Sequence, residues 1–300
     1  MPELPEVETV RRGLAPVLDG AQLVRVEARR PDLRFPFPEG FVQKLTGARI
    51  GALQRRAKYL LAPLDRGLVL VMHLGMTGRF EITGAPQVSL AGPAKPPSPG
   101  AGVVGDFHYA PPADPKHAHV VFTTDRGGVV TYFDARRFGY MDLIAEDQLS
   151  ACRWFADLGP EPLGDGFDAQ HLQAAFAGRR QGAKTLLLDQ RIVAGLGNIY
   201  VCEALHRAHI DPSRPAGEIK LKELKALVRV VREVLAEAIE QGGSTLRDYA
   251  GADGALGYFQ HRFRVYGREG EACQEPGCGG VVARFVQGGR STFHCPVCQR

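Results

Sequence analysis

Apolar positions near the start of the chain recur at helical spacing. Val7, Val10, Leu14 and Leu18 fall on one face, and Gly20 stands where the run should stop, which predicts a helix over 5–18. The period then shortens to two, with Val24, Val26 and Ala28 alternating with polar residues. Further short β-like runs follow at 48–54, 58–64, 67–72, 78–83, 118–124, 128–133 and 138–144, separated by glycine, proline and aspartate. Many short strands at this spacing predict an antiparallel sandwich or barrel, with the first helix packed on it or along its edge. Between Gly84 and Gly105 the pattern fails. Five prolines and five glycines in 22 residues cannot bury a core, so a flexible surface insertion at about 84–115 is expected.

From about Ser150 the period becomes helical. Asp168 is placed to cap a helix ending at Phe176, with Gly178 just beyond it, and 184–190 reads as a short helix. Gly195-Leu196-Gly197-Asn198 is a turn in which Asn198 is expected to cap a helix to about Ala208. A long amphipathic helix over 218–241 carries Leu224, Leu227, Val228, Val231, Leu235 and Ile239 on one face, a stripe that reads as core packing, and Gly242-Gly243 stop it. The organisation is therefore α+β: residues 1–147 form an N-terminal β-sandwich domain with a leading helix, 148–260 a helical domain, and 261–300 a small terminal module.

That module carries the clearest chemical signal. Cys273, Cys278, Cys295 and Cys298 have the spacing C-x4-C-x16-C-x2-C, two close pairs separated by a strand–turn–strand length. Such a set fits one tetrahedral structural Zn2+ holding the open end of a β-hairpin, with Gly288-Gly289 at the turn and Arg290 just after it. Four cysteines leave no open position on the metal, so catalysis must come from elsewhere. Cys152 and Cys202 have no partners at ligand spacing and read as buried thiols. A redox or disulfide set is the competing reading, disfavoured because the acidic, proline-broken N-terminus does not look like an export signal.

Composition adds bounds. Three hundred residues, 44% hydrophobic and 23% charged, describe an ordinary globular chain of about two domains, and no apolar run approaches a membrane span. A cytoplasmic monomer is expected. Net charge is only +4, but 261–300 holds six arginines against three glutamates and no lysine or aspartate, a basic module suited to a polyanion.

Two further stretches carry candidate chemistry. The chain opens Met1-Pro2-Glu3-Leu4-Pro5-Glu6. Once Met1 is removed, the Pro2 α-amine titrates low enough to be nucleophilic at neutral pH and can form an iminium with a sugar carbon, with Glu3 and Glu6 at hand as acid, base or orienting group. The plainer reading is a helix start, with proline and glutamates suited to the first turn. Alternation along Arg55-Arg56-Ala57-Lys58-Tyr59 places Arg56 and Lys58 on one strand face; Lys58 reads as a phosphate contact, a proton-transfer group or a solvated surface residue. The loops His73–Gly78 and Asp134–Gly139 present Met76 and then Arg136, Arg137 and Phe138. Apolar groups beside arginine suit a wedge entering a base stack, as an enzyme that extrudes one base requires; ordinary packing is the alternative.

The ordered set of motifs MPELPEVETVRRGL, QRRAKYLL, MHLGMTGRF, FDARRFG, LGPEPL, GLGNIYVCEAL, EQGGSTLRDY and VYGREGEAC resembles one family, the bacterial formamidopyrimidine-DNA glycosylases, over nearly the whole chain outside 84–115. The resemblance implies a helix–two-turn–helix fold for the second domain. It implies a base-excision repair enzyme that removes oxidised purines (8-oxoguanine, formamidopyrimidines) from double-stranded DNA and then cleaves the abasic site by β,δ-elimination. Carried over by motif, Pro2 is the nucleophile, Glu3 the acid, Lys58 a phosphate contact and proton donor, and Arg290 the residue of the δ-step. Met76, Arg136 and Phe138 fill the gap left by the extruded nucleotide, and Glu6, His73, His117, Arg137, Arg179, Asn198 and Tyr266 join the DNA-contacting set. Two departures stand out: C-x4-C in place of the usual C-x2-C, and Gly254–Phe259 in place of GKPGYF in the loop over the extruded purine. The competing functions are an oxidised-pyrimidine enzyme of the endonuclease VIII type, disfavoured by PELPE, and a silent damage binder, disfavoured by the trio Pro2, Glu3 and Lys58.

Overall fold

The computed structural model describes residues 2–84, 114–244 and 257–300. Residues 85–113, most of the proline/glycine-rich insertion, lie outside that set, as do 245–249 and 254–256 of the two late motifs. In chain order the elements are α1 Leu4–Leu18, β1 Leu23–Ala28, α2 Phe41–Leu45, β2 Gln54–Arg56, β3 Tyr59–Pro63, β4 Leu68–His73, β5 Gly78–Thr83, β6 Ala118–Thr124, β7 Val129–Asp134 and β8 Tyr140–Ala145. There follow α3 Ala169–Phe176, α4 Ala183–Leu187, α5 Asn198–Arg207, α6 Leu221–Glu240, β9 Ala283–Gln287 and β10 Arg290–His294.

Two antiparallel four-stranded sheets, ordered β1-β6-β7-β5 and β2-β3-β4-β8, form the first half. Their inner faces and the apolar side of α1 share one core of Val7, Val10, Leu14, Leu23, Leu60, Leu70, Phe80, Phe122 and Tyr132. The alternation that burial of one sheet face imposes is visible in β7, where Val130, Tyr132 and Asp134 point inward. The second core belongs to the helices. On α6, Leu224, Leu227, Val228, Val231 and Leu235 are buried as their spacing predicts, and Ile239 is half-buried. They pack with Tyr200, Leu205, Phe167 and Phe176. Asp168 caps α3 by accepting the His171 N–H at 2.7 Å. The third unit is the β9–β10 hairpin, joined through Gly288 and Gly289, both at positive φ (57° and 73°) as a two-residue hairpin turn requires.

Four local expectations are corrected and one element is added. Val24 is half exposed, because an irregularity between Leu23 and Arg25 shifts the β1–β6 register and turns Leu23 inward instead. The run 48–54 is not a strand: Arg49 and Ile50 make isolated bridges to Gln22 and Leu64, and the ladder begins at Gln54. The short helix α2 had no clear periodicity to announce it. Asn198 is the first residue inside α5, with Gly197 in the capping position. Lastly, Arg55–Tyr59 does not run on as a strand. It turns at Ala57-Lys58 between β2 and β3, with Arg56 paired to Tyr59 and Ala57 at φ 52°.

Candidate active site

The chain's beginning is seated by the second domain. The Leu4 N–H donates to the Gly195 carbonyl at 3.1 Å, and Glu3 Oε1 accepts the Ile199 N–H at 3.1 Å at the start of α5, where the helix dipole favours a carboxylate. Space for this comes from the glycines of the turn: a Cβ on Gly197 would overlap the Glu3 carboxyl, and one on Gly195 would press on Leu4. Glu6 fastens the arrangement. Its Oε2 accepts the Glu3 N–H at 2.8 Å, while its Oε1 accepts the Tyr200 hydroxyl at 2.5 Å and the Ser244 N–H at 2.8 Å. Pro2, Glu3 and Glu6 are all buried.

Lys58 reaches this centre from the β2–β3 turn. Glu161, from the stretch following the first domain, holds that turn by accepting from Arg55 (2.7 Å), Arg56 (2.8 Å) and the Ala57 N–H (2.6 Å). These bonds support a left-handed residue that lacks the conformational freedom of glycine. Lys58 is only 7% exposed. Burial pushes its ammonium below the ordinary lysine value, Glu3 pulls it back up, and the positive charge of Arg290 pushes it down. Burial likewise pushes the Glu3 carboxyl up to about 7, against the opposing pull of Lys58. Glu3, Lys58 and Arg290, from three units of the chain, therefore share one electrostatic environment.

Arg290 is exposed at the head of β10. The next carbonyl, of Ser291, accepts from Asn198 Nδ2 at 2.9 Å and Lys184 Nζ at 3.0 Å, and Lys184 also donates to Thr292 Oγ1 at 2.7 Å. The hairpin is thus pinned to the helical domain beside Arg290. Tyr266 packs on Phe293 and Phe263 in the same joint. Its backbone, with those of Arg264 and Val265, donates to the fully buried carboxylate of Glu203.

Met76 and Phe138 sit on two loops joined through one aspartate. Asp134 accepts the Thr77 hydroxyl on Oδ1 at 2.5 Å and the Gly139 N–H on Oδ2 at 2.7 Å; Thr77 Oγ1 in turn accepts the Arg136 N–H at 3.1 Å. Gly75 lies so close to Phe138 and Gly139 that any Cβ would strike their backbone. Phe138 is 41% exposed, with the Arg136 guanidinium 4.6 Å over its ring. Arg136, Arg137 and Phe138 line an open recess of about 370 Å3 together with Leu33 and Arg34. His73 stacks on Tyr140 at 5.0 Å and accepts the Gly75 N–H on Nδ1, which leaves its proton on Nε2; burial and the nearby Lys58 push it down to about 4, so it is neutral. His117 is half-buried just before β6, and Arg179 is exposed after α3. Among the described residues, neither of these two makes a hydrogen bond or ion pair with Glu3 or Lys58.

The four cysteines converge as their spacing predicts. Their sulfurs all lie within 4.8 Å of one another, with Cys273–Cys298 at 3.8 Å and Cys278–Cys295 at 3.5 Å. Separations of this size are the edges of a sulfur tetrahedron around a metal, so the donor set fits an ion of the zinc type.

Sequence reasoning missed Glu161, Lys184, Tyr200, Glu203 and Ser244. The available signal was a charged residue amid buried apolar helix positions, as at Glu203 between Cys202 and Ala204.

A β-sandwich, a helical domain and a four-cysteine hairpin thus converge on a buried N-terminal carboxyl and a buried lysine. The formamidopyrimidine-DNA glycosylase N-terminal domain matches residues 1–141, and the formamidopyrimidine-DNA glycosylase H2TH domain matches 158–250. The formamidopyrimidine-DNA glycosylase of Caulobacter vibrioides is 67% identical over 299 residues, covering 100% of both chains, and that of Jannaschia sp. is 56% identical over 303 residues, again covering 100% of both. Among solved structures, the MutM (Fpg) protein of Thermus thermophilus aligns with a TM-score of 0.80 at 39% identity over 99% of this chain and 98% of that one. Lactococcus lactis Fpg in complex with DNA containing an abasic site aligns at 0.82 and 32% identity, over 99% of each chain. The chain belongs to the formamidopyrimidine-DNA glycosylase family of DNA repair enzymes. Among the described residues no helix is long and apolar enough to cross a membrane.

Proposed function

We propose that the protein is a bifunctional glycosylase and abasic-site lyase that acts on oxidised purines in duplex DNA through the Pro2 amine. The observation that carries this reading is the shared environment of Glu3, Lys58 and Arg290 at the buried chain start. With Met1 removed, the Pro2 nitrogen attacks the anomeric carbon of an extruded nucleotide. The bond to the base breaks, and the base leaves with that electron pair and takes up the proton that the Pro2 nitrogen gives up. Glu3, with its carboxyl held near 7, is still partly protonated at neutral pH and delivers its proton to the sugar ring oxygen, which opens the ring to an iminium. Lys58, an ammonium with a weakened hold on its proton, serves phosphate contact and proton transfer in β-elimination; Arg290 holds the phosphate lost in the δ-step.

The locked loops supply the rest. Met76, Arg136 and Phe138 fill the vacated stack, and the unstacking cost falls on a damaged pair that is already weak. His73, Glu6, His117, Arg137, Arg179, Asn198 and Tyr266 complete the DNA-contacting set. The four cysteines hold one Zn2+, which keeps the hairpin in shape and takes no part in the reaction. Lactococcus lactis Fpg, 33% identical, has been solved in complex with DNA containing a benzylated formamidopyrimidine and with DNA containing an oxidised pyrimidine.

The test is borohydride trapping on duplex DNA containing 8-oxoguanine. A covalent protein–DNA adduct is expected, and its yield should fall in Pro2→Gly, whose primary amine replaces the secondary amine of proline; an unchanged yield would tell against Pro2. Absence of an adduct from Met1-processed protein that binds the same DNA would overturn the lyase assignment, and absence of base release as well would leave a damage binder.

A further inference from the structure

His206 has no part in the chemistry above, yet it is a fully buried imidazole on α5. Its Nε2 lies 3.4 Å from Cys273 Sγ and 3.8 Å from Cys298 Sγ. Those two sulfurs are themselves 3.8 Å apart, so the ring nitrogen caps the edge that joins the first cysteine knuckle to the second. The other ring nitrogen, Nδ1, is buried with no hydrogen-bond partner among the described residues. A proton there would be an orphaned donor, so the proton belongs on Nε2, aimed at the sulfur pair.

From this geometry we infer that His206 is an outer donor to the metal site: its Nε2–H bonds to the thiolates of Cys273 and Cys298 and clamps the metal knuckle to α5. The inference rests on the zinc assignment above. A metal held by four thiolates leaves net negative charge on the sulfurs, and N–H donors spread it. On the Cys273 side the chain itself supplies one such donor, the Glu275 N–H at 3.5 Å. The knuckle that carries Cys273 is also the long one: four residues separate Cys273 from Cys278, and Gln274, Pro276 and Gly277 are exposed. A longer loop fixes its first sulfur less tightly by backbone alone, and His206 supplies a fixed point from a rigid helix. The second knuckle has its own fastening, in which Gln299 accepts the Cys295 N–H at 2.7 Å and donates to the Ile210 carbonyl at 2.8 Å. Together the two clamps make the metal site part of the helical domain, which sets the distance between Arg290 and Glu3.

The test uses the full-length protein, its zinc content, and the rate at which zinc passes to a chromogenic chelator. Wild-type protein should carry one zinc per chain. His206→Phe keeps a ring but lacks the donor, and it should fold, load one zinc and release it roughly 10–100-fold faster, the range typical of a lost outer-shell partner. His206→Gln retains an N–H and should fall between the two; it carries the test alone if the phenylalanine variant does not fold. Release at the wild-type rate from the folded variants would overturn the role of His206. Wild-type protein without metal would instead overturn the zinc assignment on which it rests. Cobalt-substituted protein should give a sulfur-only spectrum in wild type and variant alike. A mixed nitrogen–sulfur spectrum in wild type that becomes sulfur-only in His206→Phe would make His206 a ligand and refute the outer position.

Discussion

Thr77 donates its hydroxyl to Asp134 across 2.5 Å, and that bond joins the loop bearing Met76 to the loop bearing Phe138. Asp134 is fully buried and also accepts from Tyr132 and Gly139, so its carboxylate is the common anchor of both loops. The two loop tips are therefore tied into one unit. In the wedge role proposed above, a unit already shaped before it meets DNA loses little freedom on insertion.

Breaking the anchor should separate wedging from chemistry. Thr77→Val leaves one oxygen of Asp134 without its donor and should cost about 1–3 kcal/mol of stability. Base release from duplex DNA should fall, while borohydride trapping on a single-stranded abasic oligonucleotide should stay near wild type, since no stack has to be filled there. Equal losses on both substrates would show that the wedge loops act on something other than the stack.

Glu3 predicts a pH dependence with a definite sign. Its carboxyl titrates at about 7 in the fold against 4.5 when free, so the fold favours the neutral form. The stability this gives is full below pH 4.5 and is lost as pH rises through 7. Glu3→Gln stays neutral throughout. The variant and wild type should melt alike near pH 4.5, and the variant should be the more stable at pH 8, by up to about 3 kcal/mol at about 1.4 kcal/mol per unit. Base release by the same variant should drop by about 10²–10⁴-fold, the scale of a lost general acid. Single-turnover rates in wild type should decline above pH 7. A variant no more stable at pH 8 than at pH 4.5, relative to wild type, would disprove the raised carboxyl.

Gly197 is a steric requirement of the acid. Gly197→Ala places a methyl group in the volume of the Glu3 carboxyl, so that side chain must move off the Ile199 N–H. Base release should fall at least as far as in Glu3→Ala, with abasic-site trapping by Pro2 retained in part. Unchanged base release in the alanine variant would mean that Glu3 works from another position.

Glu203 gathers three consecutive N–H groups, of Arg264, Val265 and Tyr266. Glu203→Gln weakens these charge-assisted bonds and sets a side-chain N–H against at least one of the backbone donors. The expected cost is about 2–3 kcal/mol. Thermal melting should show it, and protease should cut near 264–266 sooner than in wild type.

What the sequence disclosed, and what it hid, follows the range of the interactions involved. The cysteine hairpin was legible because its spacing, its Gly288-Gly289 turn and its strands are local. The face of α6 was legible because a 3.6-residue stripe meets a single core. Val24 was assigned to the wrong face because an irregularity in β1 resets the alternation, and nothing in the residues themselves marks it. The turn at Ala57-Lys58 was invisible because a left-handed alanine carries no turn signature; it is held by Glu161, about a hundred residues away. Glu203 and Ser244 escaped for the same reason. Their roles consist of partners that only the fold brings near, whereas Pro2, Glu3 and Lys58 stood out by their own chemistry and the roles proposed for them and for Arg290 come from the family motifs.

Glu6 has one further consequence. Its carboxylate is shared among Glu3 at the start of the chain, Tyr200 in α5 and Ser244 beyond α6. A nascent chain emerging from the ribosome can thus build its sandwich early, yet its first residues find their seat at Gly195, Ile199 and Tyr200 only after the helical domain has begun, and their last partner, Ser244, comes later still. An incomplete chain, or one cut between its halves, is left with a loose amine and no ordered acid beside it. Under the mechanism proposed above, the ability to cut DNA is gained only once the chain is nearly whole.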